Sequence, residues 1–465
     1  MKNLLCIIIF IFPMYVLSQP GSWKSSPLDY MWTNTGNPNL SFGSYWTSLA
    51  FSPVNGQPYV AFNDIQYGFA VCVMTYDGTS WQYVGNPGFS AGSADLLSGS
   101  IAISPSGQPY VAFNDDQFHP DGRLTVMKFN GSIWDTVGHS GFSSGDVWDL
   151  SLAFSLSGEP YVAYGDKGTS WNLTVKKFDG TSWVNVGSPG FSEGGATYPS
   201  LSFNPSSGQA YVGYRDFGNN RKATVMKYDG TNWVNIGSPG FSSSAVYYTS
   251  LSFSPDTEPF LAYSDSGYSL KTTVMKFNGA SWVNVGNSGF SGGRADYQSL
   301  AFNLAGDPVV AFSDYSNSQK STVMKFTGTD WVNVGNPGFS STSASYTSLA
   351  FSQPGVPYVA YIENYGTGSV TVMKYDSVFV GIEEQNESGL SIYPNPSSES
   401  VTIDLKNLSG NIACIEIDDF KGSRVLEIQT IEKKVVLDVA NYPSGLYLVK
   451  IKTESSIRIG KFCKD

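Results

Sequence analysis

Between Ser48 and Tyr375 the chain repeats one arrangement of apolar and polar positions, a series of short apolar runs separated by turn-forming clusters. The first run of each unit is Ser-Leu-Ala-Phe or a close variant. It occurs at Ser48 to Phe51, Ser100 to Ile103, Ser151 to Phe154, Ser200 to Phe203, Ser250 to Phe253, Ser299 to Phe302 and Ser348 to Phe351. The second is Pro-Tyr-Val-Ala-Phe or Tyr, as at Pro58 to Phe62, and the third is Thr-Val-Met-Lys-Phe or Tyr, as at Thr125 to Phe129. The fourth begins with a Trp, as at Trp183 to Val186. Runs this short and rich in β-branched and aromatic residues read as strands. Stretches such as Ser104 to Pro109 join runs one and two. Asp-Gly or Asn-Gly pairs, as at Asp179-Gly180 and Asn278-Gly279, join runs three and four and suit a type I′ turn, so each unit is two hairpins.

The Trp residues that open the fourth runs, Trp81, Trp134, Trp183, Trp233, Trp282 and Trp331, recur at intervals of 49 to 53 residues, and Trp32 extends the series by a further 49. A period near 50 is that of a propeller blade. A four-stranded sheet cannot bury both faces alone, so the repeats predict radial stacking, with residues such as Leu201, Phe203, Tyr211 and Val225 between blades. The first copy lacks the three runs that should precede Trp32, and the last has no Trp run after Tyr375. The two ends complement each other, so Met31 to Asn34 should complete the last blade and remove an open edge. The expected fold class is all-β, and the repeat region is expected to be a seven-bladed β-propeller.

Composition agrees, with 15% aromatic and 14% charged residues and 49 Gly. A net charge of −11 and a pI of about 4.7 give no general attraction to nucleic acid. The first residues, Met1-Lys2-Asn3 and then Leu4 to Leu17, read as a secretory signal peptide cleaved after Ser18, with no transmembrane segment left in the mature chain. Residues 19–380 are assigned to the propeller, 381–390 to an acidic linker and 391–465 to a second domain. Three cysteines remain after cleavage, too few for a disulfide framework, although Cys414 and Cys463 could pair.

The C-terminal region opens with Tyr393-Pro394-Asn395-Pro396, carries a hairpin with Gly422 and the segment Tyr442-Pro443-Ser444-Gly445-Leu446-Tyr447, and ends in Lys461-Phe462-Cys463-Lys464. This order of motifs resembles the type A C-terminal sorting domain of the type IX secretion system of Bacteroidetes-type bacteria. The resemblance implies a small β-sandwich that engages the type IX machinery and routes its cargo through the periplasm to the outside, where the cargo is released or attached to the outer surface. The sorting residues it implies are Pro394, Asn395, Pro396, Gly422, Gly445, Lys461 and Lys464. The propeller resembles no named functional family.

Candidate chemistry is sparse. With only His119 and His139, a histidine-based zinc site or a Ser/His/Asp system has little to draw on. Carboxylates at the end of the second run, Asp64, Asp115, Asp166, Asp216, Asp265, Asp314 and Glu363, repeat too regularly for a catalytic pair and read as turn caps. No cofactor is expected, with calcium at the loop Asp115 to Arg123 the alternative. Two positions before each first run stand Trp46, Ser98, Asp149, Tyr198, Tyr248, Tyr297 and Tyr346. If the first run is innermost, the aromatic members, Trp46, Tyr198, Tyr248, Tyr297 and Tyr346, surround the channel mouth, where they could bind ligand or simply plug the axis.

Three readings follow: a secreted or surface binding module for glycan or protein, a carbohydrate-active hydrolase or lyase, and a structural or adhesive surface protein. A monomer is expected in each. Deleting Gly389 to Asp465 should leave a folded propeller retained in the periplasm, and cell fractionation with immunoblotting checks this. Full export of the truncated chain would overturn the sorting assignment.

Overall fold

The computed structural model describes residues 29–96, 100–118, 122–364, 368–378, 391–405, 413–419, 423–453 and 457–465. The signal segment with Ser18, the linker 381–390, Ser98, His119 and Gly422 lie outside the described residues. The chain divides into two compact units at Val378/Phe379.

The first unit is a seven-bladed β-propeller. Blades one and three to six each contain four consecutive strands in sequential antiparallel order, beginning at Thr47–Phe51, Val147–Phe154, Ala196–Phe203, Val246–Phe253 and Ala295–Phe302. In blade two the innermost position is described as two pieces, Ala94–Asp95 and Ile101–Ile103, both paired with Pro109–Asp115. Blade seven takes three strands from Ala344–Phe351, Pro357–Glu363 and Val370–Val378. Its fourth is the N-terminal strand Asp29–Asn34, with Trp32 opposite Tyr375.

Blades are joined by two repeated hydrogen bonds. Near the axis, a Ser hydroxyl of one inner strand accepts the backbone N–H of the Leu or Ile on the next, from Ile101 N to Ser48 Oγ through Leu349 N to Ser299 Oγ and, closing the circle, Leu49 N to Ser348 Oγ. At the periphery every repeat Trp donates its indole N–H to a backbone carbonyl 2.6–2.8 Å away before the preceding inter-blade loop, as Trp183 to Val137 O and Trp233 to Val186 O. Six of these indoles also stack on a loop Phe, such as Trp282 on Phe241 at 4.3 Å and 5°. Gly237, at φ +72°, shows why the adjoining turn is glycine, since an added Cβ would lie 3.1 Å from the Trp282 ring. Between blades four and five, Tyr211, Val225 and Ile236 meet Leu251, Leu261 and Trp282 in one apolar layer.

In the second unit a three-stranded sheet (Ser391–Tyr393, Ser400–Asp404, Lys434–Asp438) and a four-stranded sheet (Arg424–Thr430, Ala413–Asp419, Gly445–Lys452, Ile457–Lys464) share a core of Val401, Ile403, Ile415, Val449 and Phe462. The Cys414–Cys463 pairing does not form. Cys414 lies opposite Lys452 and Cys463 opposite Leu446, six residues apart on the same strand, or about 20 Å at ~3.3 Å per residue. A disulfide requires Cα atoms within about 7 Å.

The shared blade predicts a specific weakness. Trp32→Ala should cost about 3–5 kcal/mol. Removal of residues 19–40 should also expose the edge of Val370–Val378 and promote association. Thermal unfolding and light scattering measure both; unchanged melting with a monodisperse monomer would reject the closure.

Candidate functional site

One face of the propeller carries both the connections between blades and the turns between second and third strands. The two are tied together in blades two to seven, as by Lys167 N to Asp146 O and Phe217 N to Gly195 O. The repeated carboxylates sit at the start of these turns. Asp64, Asp115, Asp166, Asp265 and Asp314 each accept a backbone N–H two residues on, at 2.8–3.2 Å. Asp115, Asp265 and Asp314 also accept a Thr hydroxyl from the third strand. Asp216 makes no cap bond and is held by Thr224 and Asn219, while Glu363 accepts from Ser341.

The axis is lined through a repeated backbone distortion. Asp149, Tyr198, Tyr248, Tyr297 and Tyr346 each occupy a β-bulge with φ between +40° and +59°, and Trp46 shares the positive φ at the start of blade one. A bulky residue held there costs about 1–3 kcal/mol. In return the bulge re-aims the side chain. Trp46, Tyr346, Tyr297, Tyr248 and Tyr198 form a continuous arc with ring centroids 4.5–5.8 Å apart, each half-buried by its neighbours. Beyond Tyr198 the arc ends at Asp149, whose Oδ2 accepts the Tyr198 N–H at 2.8 Å.

At this end of the arc the regular inter-blade bonding lapses. Ser100 Oγ is buried without a partner, so the bond its counterparts make to the next blade is missing between blades two and three. On the loop face of blades two to four lies a cavity of about 610 Å³, lined by Asp95, Asn114, Asp116, Asp146, Trp148, Asp149, Thr197, Tyr198, Arg215 and Phe217 among others. Trp148 is 42% exposed and stacks on Trp171 at 4.1 Å. Arg215, 8% exposed, lies against the Tyr247 ring, its guanidinium carbon 4.1 Å from the centroid. Asn114 donates to Asp146 at 2.9 Å, but its Oδ1, like Arg215 Nε and Thr197 Oγ1, is buried without a partner.

Electrostatics distinguish the carboxylates. Burial, reinforced by Asp116 and Asp146, pushes Asp95 up to about 6. Burial also raises Asp149, opposed by the Tyr198 N–H and by Arg215. A smaller cavity of about 330 Å³, lined by Tyr45, Trp46, Asn63, Phe69, Ser93 and Ala94, shares Asp95 as a wall. Among the described residues, three potential metal ligands converge only at Cys414, Glu416 and Glu427, where Glu416 is already paired with Arg424 and Lys452. The carboxylates of the large cavity form no such set. The one propeller cysteine, Cys72, is buried and its thiol is pushed up to about 12, which leaves no thiolate at neutral pH.

Of the residues singled out from sequence, Trp46 and Tyr198 reach cavity walls, whereas Tyr248, Tyr297 and Tyr346 line neither cavity. Asp95, Asp146, Trp148 and Arg215 were missed. The available signal was departure from the repeat: Arg215 occupies the column held elsewhere by Asn63, Asn114, Gly165, Ser264, Ser313 and Ile362.

In the second unit the first and last motifs meet. Asn395 Oδ1 accepts Cys463 N at 2.8 Å and its Nδ2 donates to Lys461 O, while Ser397 N bonds to Cys463 O. Pro394 and Pro396 flank Asn395, and Gly445 lies opposite Lys464. Residues 391–465 match the family described as "Secretion system C-terminal sorting domain". This unit is a type IX secretion sorting domain. The protein is therefore a type IX cargo, handled by that machinery and delivered to the cell exterior or its outer surface. No helix among the described residues is long and apolar enough to cross a membrane.

Among curated proteins none matches the chain. Similar solved structures include PorZ, a surface component of the type IX secretion system of Porphyromonas gingivalis (14% identity, TM-score 0.47, 93% of this chain and 60% of PorZ). A second is the extracellular domain of a putative one-component system of B. thetaiotaomicron (14%, TM-score 0.49, 92% and 52%). A third is a Dyadobacter fermentans protein of unknown function (11%, TM-score 0.46, 75% and 99%). The chain thus spans 60% or less of the first two.

The Asp95 shift has a definite sign. A carboxyl whose folded pKa is raised from 3.8 to about 6 disfavours the fold once it ionises, so its penalty develops as pH rises from about 4 and is complete above about 6. Asp95→Asn should melt above the parent at pH 8, with the gap closing at pH 4. A gap independent of pH would reject the shift.

Proposed function

We propose that the propeller is an exterior glycan-binding module and that the large cavity of blades two to four is its site. The observation that carries this reading is the combination in one wall of an exposed indole, Trp148, with ionisable carboxylates and buried, unpartnered hydrogen-bonding atoms on Asn114 and Arg215. An aromatic ring covers the C–H face of a sugar, and clustered polar groups take its hydroxyls; pockets of about 300–1,000 Å³ are typical of small-molecule sites. Tyr198 extends the wall towards the axis, while Tyr248 and Tyr297 support it by packing.

A second reading, cleavage of a glycosidic bond, is favoured by Asp95, held near pH 6 beside Asp116 and Asp146, since carboxyls in unlike environments can divide acid and base roles. Release of reducing ends from bound glycan, abolished by Asp95→Asn, would select hydrolysis over simple binding.

The test is a glycan array with the mature chain, with and without calcium. Trp148→Ala should weaken binding to any hit at least tenfold, whereas the paired change Tyr248→Ala and Tyr297→Ala should alter it less than threefold if folding is intact. The reverse order would move the site to the aromatic arc.

A further inference from the structure

The two cavities share the wall formed by Asp95 but differ in chemistry. The larger is polar, with Asp116, Asp146, Asp149 and Arg215 beside the exposed rings of Trp148 and Phe217. The smaller is walled by Tyr45, Trp46 and Phe69, with Tyr45 5.6 Å from Phe69 and 6.2 Å from Trp46 between ring centroids. Its polar atom of note is Asn63 Oδ1. Asn63 is 1% exposed and its amide nitrogen donates to the carbonyls of Phe69 and Ala94, yet the oxygen has no partner. Each cavity is thus lined by an Asn whose buried side-chain oxygen protein groups leave unsatisfied, Asn63 in one and Asn114 in the other, and the larger is also lined by Arg215, whose buried Nε is an unsatisfied donor. Native structures rarely leave such atoms unpaired, and each calls for a water or a ligand.

The requirements on the ligand follow from these atoms. Two acceptors need donors, which excludes carboxylate and sulfate groups at those points. The donor on Arg215 needs an acceptor. A hydroxyl group serves as both. The surplus of carboxylates in the larger cavity adds repulsion against an anionic ligand. The aromatic walls of the smaller cavity favour an apolar face with one hydroxyl at its edge.

Resting on the glycan-binding reading, we infer that the two cavities are adjoining subsites for one neutral, linear oligosaccharide, which crosses Asp95 with one unit against Tyr45 and Trp46 and another against Trp148 and Arg215. Linking two sites makes the second contact intramolecular, so affinity rises with chain length until both are filled.

The test is calorimetry of the mature chain with neutral cello-, manno- and chito-oligosaccharide ladders of one to five units, with tetragalacturonate as the anionic control. For at least one ladder, affinity should rise tenfold or more between the single sugar and the length that fills both subsites. Tyr45→Ala, checked for unchanged melting, should erase that rise while leaving the single-sugar affinity within twofold. Trp148→Ala should weaken every length, and tetragalacturonate should not compete. Equal affinity at all lengths, or a rise that survives Tyr45→Ala, overturns the two-subsite inference but leaves a Trp148-dependent single site standing. Failure of every ladder to bind overturns both.

Discussion

The indole N–H of the repeated Trp is the bond on which the propeller depends. Each of the seven reaches across to a carbonyl before the preceding inter-blade loop, at 2.6–2.8 Å. A hydrogen bond of this kind contributes about 0.5–1.5 kcal/mol net, and leaving its carbonyl buried and empty costs more. The geometry must recur in every blade, which explains the near-constant spacing of the Trp residues and the positive-φ glycines where the loop backbone passes the indole. The N-terminal segment has a double role. Trp32 donates to Val334 O, and Thr35 O accepts from Trp81, so residues 32–35 link the sixth blade, the completed seventh and the first.

Regularity elsewhere permits irregularity at one point. Along the axis the Ser-to-backbone bond recurs between most neighbouring inner strands, and its absence at Ser100 coincides with the cavity and with the end of the aromatic arc at Asp149. A closed ring has no free edge through which such a defect can spread, so one inter-blade contact can be given over to solvent and polar side chains. The positive-φ residues carry strain around the same axis, and their stacking on one another holds them in place.

Much of the fold was legible because it rests on local, repeated chemistry: period-two apolar runs, Asp-Gly and Asn-Gly turns, and a Trp in a fixed place. Even the shared blade followed from counting runs at the two ends. The candidate site was not legible in the same way, because it consists of departures from the repeat. Arg215 differs from its counterparts by one residue in one column, and Asp95 lies where the inner strand of blade two departs from the common pattern. Nor does sequence disclose that Tyr198 and its equivalents adopt positive φ. That conformation turns the rings onto one another, and of the arc Trp46 and Tyr198 reach the walls of the two cavities described.

The closure also bears on how a protein without a disulfide among the described cysteines holds together outside the cell. Joining Trp32 to Val334 brings together residues 302 positions apart, and the loop-closure entropy of such a contact must be offset by the packing of all seven blades. The strand that receives the N-terminal one, Val370–Val378, is the last of the propeller in sequence, and the sorting domain follows it at residues 391–465. During synthesis the pieces needed for closure and the segment that addresses the chain for export are therefore made one after the other. A chain that ends before its sorting domain contains every strand of the ring, whereas one that ends before Val370 lacks both a strand of the closing blade and the address.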